Sequence, residues 1–278
     1  MQLGSDEHKE VFCKTFIDSA REYDPQNLPW PDLSDPQLAL VRGIPFWEEA
    51  YTREVQAGII VGAYAETIAD PLLRETIALQ GIEETRHSQI IEAMMRHYGI
   101  PQPPRPTPEI PADREDAFYT LGYEECFDSY FAFGMFRLAS EAGVFPEKLL
   151  AIFDMLIDEE ARHNLYFVNW AAWHQIRQGQ QVLQPAREVW YYGKALARVA
   201  QGLLSGTTNS PGFTLTGNSV LPVEFTSEGV LTACIAENRR RMAPYDERLL
   251  RPQVMPALSG AIYEAVKLLP FARSEKAA

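Results

Sequence analysis

Cysteine is scarce in this chain. It has three, Cys13, Cys126 and Cys234, none in a Cys-x-x-Cys spacing, which excludes zinc ribbons, rubredoxin-type sites and disulfide scaffolds. Basic residues are also few: 25 Lys and Arg against 38 Asp and Glu leave a net charge of −13. Such a chain repels phosphate backbones and anionic lipid, so neither nucleic acid nor a membrane surface is expected as a partner. No run of about 18 uncharged apolar residues occurs, so no bilayer-spanning helix is expected. Residues 1–20 interleave Asp6, Glu7, Lys9, Glu10 and Lys14 with short apolar stretches, unlike a signal-peptide core, and the expected compartment is the cytoplasm. Strand patterning is missing too; VLPVEFTSEG, at 220–229, is short and isolated. Histidine occurs five times, so its placement carries information.

What is present is helical periodicity. Its 278 residues can bury a core without a disulfide or metal to hold it. Residues 45–67 lack an internal proline and read as one long helix. Asp70-Pro71 then supplies an N-cap and a proline at the first helical position, opening a helix that Gly99 stops. So short a break predicts an antiparallel hairpin. Six prolines follow between Pro101 and Pro111, an extended stretch that could cover about 35 Å and suits a crossover along a bundle. The pattern repeats: a helix over 113–142, a break at Gly143-Val144-Phe145-Pro146, and a helix to about Gln178. The expected fold is all-α: two antiparallel hairpins joined by a Pro-rich crossover into a four-helix bundle, the ferritin-like topology. Within one structural domain, 1–44 form a helical lead-in and 45–177 the bundle. Residues 178–278 add C-terminal helices, interrupted by a Gly/Ser/Thr/Asn loop at 205–219.

One five-residue pattern occurs twice, once per hairpin: Glu83-Glu84-Thr85-Arg86-His87 and Glu159-Glu160-Ala161-Arg162-His163. On a helix, Glu84 and His87 lie one turn apart on one face, as do Glu160 and His163. A carboxylate oxygen beside an imidazole nitrogen can hold a transition metal. A single Glu-x-x-His is usually a surface pair or a core polar cluster, and the fuller pattern arises by accident on the order of once per thousand chains of this size. Two copies in equivalent halves point to metal.

Over residues 45–177 the chain therefore resembles the ferritin-like di-metal carboxylate proteins. That resemblance implies one further Glu from each of the other two helices. Glu54 lies 16 residues before Asp70 and Glu84 lies 14 after it, so the two share a level; Glu48 and Glu49 lie at least a turn too far, and Glu66 beside the turn. In the second hairpin Glu124, Glu125 and Asp128 compete. Glu125 is favoured because it shares a stripe with Leu121, Asp128 and Ala132, while Glu124 points about 100° away. Asp128 stays as an alternate ligand, a supporting group or a catalytic candidate. Glu83 and Glu159 are placed to accept the free imidazole N–H across the bundle, and Arg86 and Arg162 to restrain those carboxylates; ordinary surface ion pairs are the alternative. Tyr51, a turn from Glu54, is placed for a hydrogen bond or a redox role. Phe167 and Trp170 continue the Glu160–His163 stripe. His174 falls about 16 Å beyond His163, and His8 and His97 carry no signal. Gly58, Gly62, Gly81, Gly122 and Gly134 each cost about 1 kcal/mol inside a helix, which implies either close packing or a cavity beside the metals.

Four carboxylates and two imidazoles suit two iron or manganese ions, or a mixed pair, about 3.5–4 Å apart. The resemblance implies that the reduced pair binds and cleaves O2 to attack C–H or N–H bonds, with electrons from an external reductase. Classical ferritins are shorter, rubrerythrin-type peroxidases need more cysteine, and tRNA-hydroxylating members would want a basic face. The twin motifs look like those of acyl-carrier-protein desaturases and arylamine N-oxygenases. The latter carry a further histidine ligand where this chain has Leu156, a departure that counts against N-oxygenation. The expectation is an O2-activating oxygenase or oxidase acting on a small organic substrate, free or carrier-bound, with a homodimer compatible. Iron storage and manganese catalase are the competing readings.

Overall fold

The structure, a computed structural model, describes residues 1–107, 109–205 and 226–268. Among these residues there are nine α-helices and no strand: α1 Asp6–Asp18, α2 Asp35–Gly43, α3 Trp47–Ala65, α4 Pro71–Tyr98, α5 Arg114–Glu141, α6 Glu147–Arg177, α7 Gln184–Ser205, α8 Ser227–Met242 and α9 Val254–Leu268. Of the loop expected over 205–219, Ser205 is the last residue of α7 and 206–219 lie outside the described residues. So do 220–225, while Thr226 caps α8 by accepting from the Gly229 N–H.

Local chemistry fixes the ends of the long helices. The Asp70 carboxylate accepts from the amides of Leu72 and Leu73, meeting two of the donors that a helix start leaves open. At the other end of α4, Gly99 adopts φ +64°, a left-handed conformation that a Cβ would penalise. The Ile100 N–H then reaches back to the Met95 carbonyl at 2.8 Å, which closes the helix.

The helices α3 and α4 form a hairpin with intimate backbone contact. A Cβ on Gly81 would stand 3.1 Å from the Gly62 nitrogen, and one on Gly58 would stand 2.6 Å from Thr85 Oγ1. Elsewhere, a Cβ on Gly122 would strike the Phe167 ring and one on Gly134 would strike Cys234 of α8. The choice between close packing and cavity thus falls to packing at Gly58, Gly81, Gly122 and Gly134. At Gly62 itself a Cβ would meet nothing within 4 Å.

The Pro-rich segment runs back along α3. Gln56 donates to the Glu109 carbonyl at 3.0 Å, and Arg114 donates to the Ala63 carbonyl at 3.0 Å. The start of α5 therefore lies beside the end of α3, and the two run antiparallel. Contacts α3–α4, α4–α6, α6–α5 and α5–α3 close a ring of four helices. Around it, α1 packs on α4 and α6, and α7 and α8 pack on α5. An aromatic core containing Tyr64, Phe118, Phe167 and Trp170 fills one end of the ring. Among the described residues no helix is long and apolar enough to cross a membrane.

Candidate metal centre

The two motifs face each other across the α4–α6 seam in reciprocal register. Glu83 pairs with His163 and His87 pairs with Glu159, each through the imidazole Nε2 at 2.9 Å. One helix counts up as the other counts down, as antiparallel neighbours must. A carboxylate can only accept, so each Nε2 carries its proton, and it is Nδ1 that turns inward, where it offers a lone pair once a metal displaces its proton.

Inward lie the other two glutamates. His163 Nδ1 stands 3.0 Å from Glu84 Oε1, and His87 Nδ1 stands 2.9 Å from Glu160 Oε1. These approaches have no hydrogen-bond geometry: both Nδ1 atoms and Glu160 Oε1 are buried without a partner. Natural interiors rarely tolerate such atoms, because each forfeits the hydrogen bonds it made with water. One donor atom from each of Glu84, His87, Glu160 and His163 falls within 4.8 Å of the others. This group can hold a metal ion. Glu84, His87 and His163 are no more than 1% exposed, and Glu160 is 9% exposed.

The remaining sequence candidates divide by location. Glu54 Oε2 lies 3.5 Å from His87 Nδ1, and Glu54 and Glu125 line one cavity together with Glu84 and Glu160. Glu125 Oε2 is another buried atom without a partner. Glu124 faces elsewhere, toward Arg198 of α7 and Arg53. Asp128 is on the cavity wall with Arg53 Nη2 3.0 Å away. Tyr51 is not brought to the cluster: it is buried with Val41, Val55, Met94 and Tyr98 in an apolar cluster of α2, α3 and α4. His8 is buried against Asn169 at 3.0 Å, and His174 ranges toward Glu115 and Gln178.

Behind the histidines the charges interlock. Arg162 Nη2 stands 2.6 Å from Glu83 Oε1, and Arg86 Nη2 lies 3.2 Å from the same oxygen and 3.5 Å from Glu159 Oε1. The N-terminal lead-in seals this layer. Arg162 donates to the Phe16 carbonyl, Arg86 to the Arg21 carbonyl, and the Tyr23 hydroxyl to Glu159 Oε2 at 2.8 Å. Phe16 also stacks on the His163 ring at 5.8 Å.

Electrostatics follow this plan. Burial alone would raise Glu159, yet His87 and Tyr23 bonded to it bring it down to about 2. Glu83 and Glu84 are likewise buried, and their histidine partners carry both below the usual carboxylate range. Burial would lower the two histidines, but the surrounding carboxylates override it and hold both well above the ordinary value. On the far side burial wins. It pushes Glu54 up to about 8, with Glu160 adding repulsion, and it raises Glu125 well above its usual range, with Glu84 and Glu160 adding theirs.

Several residues here escaped the sequence reading. Gln80, whose amide donates to Glu84 at 3.1 Å, stands one turn before it, a spacing that could have flagged it. Tyr23 and Phe16 had no local signal, since they reach Glu159 and His163 from more than a hundred residues away. Arg53 is hidden by its neighbour Glu54, which faces another way.

The fold and site together describe a helical bundle with a buried carboxylate–histidine group able to hold metal. Comparison with protein-family models, curated proteins and solved structures found no match for this chain.

Proposed function

We propose that the chain is a ferritin-like di-metal oxidoreductase that activates O2 for the oxidation of a small organic substrate. One observation carries the reading. Donor atoms of Glu84, His87, Glu160 and His163 converge, those of His87, Glu160 and His163 buried without a hydrogen-bond partner, with Glu54 and Glu125 beside them, and an apolar cavity of about 260 Å³ opens onto the glutamates. A storage site needs no such cavity.

In this reading Glu84, His87, Glu160 and His163, with Glu54 and Glu125 beside them, would hold two iron or manganese ions. The bound pair would supply dioxygen activation, with electrons from an external reductase. The chain's own residues do the rest. Glu83 and Glu159 keep each imidazole in the ligating tautomer, and Arg86 and Arg162 keep those carboxylates ionised. The apolar wall excludes water from the reacting atoms and sets the substrate's pose.

The test is metal loading under anaerobic conditions. Two Fe(II) per chain should bind, and addition of O2 should consume about one O2 per pair. Glu84→Ala and His163→Ala should each lower bound metal below two per chain while helical circular dichroism survives. Full occupancy in both variants overturns the site. Many irons oxidised per chain would instead establish storage, and O2 release from peroxide by the manganese form would establish a catalase.

A further inference from the structure

The cavity beside the centre has a direction. Along α5 its wall runs from Glu125 to Ala139, and along α6 from Glu160 back to Leu149. At 1.5 Å per residue these stretches cover about 15–20 Å. The inner end carries the four glutamates, Ser129 and the Arg53–Asp128 pair. Outward of Ser129 the walls are aliphatic and aromatic, with Ala132, Leu156, Phe153 and Leu149 among them. Trp47 is the one residue there with a polar side-chain atom, and its indole N–H is already given to the Val41 carbonyl at 2.7 Å. At the outer end, beside the α5–α6 turn, Ile44, Phe145 and Leu150 are half-buried, and this end is taken as the mouth.

Volume sets the occupant's size. A dry cavity of about 150 Å³ takes benzene, so 260 Å³ takes about ten carbon atoms by proportion. Spread over that length, the space is one hydrocarbon chain wide. A hydroxyl or charge held in the shaft would lose its water and gain no partner.

Resting on the metal centre proposed above, we infer that the part of the substrate reaching the centre is an unbranched, uncharged hydrocarbon chain of about ten carbons, with any polar head left at the mouth. The reacting carbon is then chosen by its distance from the mouth.

The experiment titrates the full chain with 1-alkanols of six to fourteen carbons, following tryptophan fluorescence, which Trp47 in the shaft should report. Affinity should rise about fourfold per methylene up to about ten carbons and then level. Ala132→Phe should weaken 1-decanol binding at least tenfold while bound metal stays at two per chain. Should that variant fail to fold, a crystal of the unaltered protein soaked in 1-bromodecane locates the chain, and the bromine must lie between the centre and Phe145. An affinity independent of chain length in a protein holding two metals overturns this inference, as does a bromine outside the shaft. Chain-length dependence in a protein that binds no metal overturns the metal reading alone.

Discussion

The two sides of the centre solve the same problem differently. Toward α1, Glu83 and Glu159 are buried and paired in charge, with two histidines, two arginines and a tyrosine around them. Toward the cavity, Glu54 and Glu125 are pushed up by burial, and the nearby Arg53 is turned to Asp128 and Glu124. A buried carboxylate is stable when paired and costly when not. The first side is therefore finished when the chain folds. The second side waits for a cation, and that is where exchange of metal, oxygen and substrate must occur.

The largest effect should come from breaking the finished side. Glu83→Ala strands Arg162 and His163 in the interior and should cost about 3–5 kcal/mol of stability, measured by urea denaturation of the metal-free protein. On the waiting side, Glu54→Gln and Glu125→Gln should shift that stability by less than about 1 kcal/mol yet drop bound metal below two per chain. Equal losses of stability on both sides would erase the contrast.

Acidity sharpens it next. Each proton that a metal displaces makes apparent affinity rise about tenfold per pH unit. With Glu54 near 8 and Glu125 raised, Fe(II) or Mn(II) affinity should climb between pH 6.5 and 8. Stability of the metal-free form should move oppositely. A raised carboxyl and a raised histidine both bind more protons folded than unfolded, so stability falls as pH rises through this window. Calorimetric scans with and without Mn(II) at pH 6.5, 7.2 and 8 would separate the two trends. A milder break of the finished side than Glu83→Ala is Tyr23→Phe, which removes one bond to a charged acceptor and should cost about 1.5 kcal/mol. It should also weaken metal binding about tenfold through the loosened His87, read by equilibrium dialysis.

Much of this centre was legible before any coordinates. Glu-x-x-His is a local statement, since helical pitch alone puts Glu84 beside His87 and Glu160 beside His163. Asp70-Pro71 and Gly99 announce the ends of α4 because capping is chemistry between near neighbours. Less legible was the helix-three residue. Glu124, Glu125 and Asp128 differ by a rotation of the helix, and the arginines that claim Glu124, from α3 and α7, lie far off in sequence. Tyr51 misled because a single turn of separation from Glu54 leaves its ring in the cluster around Met94 and Tyr98.

The sequence by itself determined the helices, their capped ends, and the two repeated motifs with metal-ligand spacing, all consequences of interactions within about four residues. Only the tertiary structure decided which carboxylates are answered and which are left open, which glycines let backbones touch, and where the apolar shaft begins. Those outcomes depend on partners brought from Tyr23, Phe16, Arg53 and Arg198. Burial and pairing are properties of a neighbourhood in space, and helical periodicity holds no record of them.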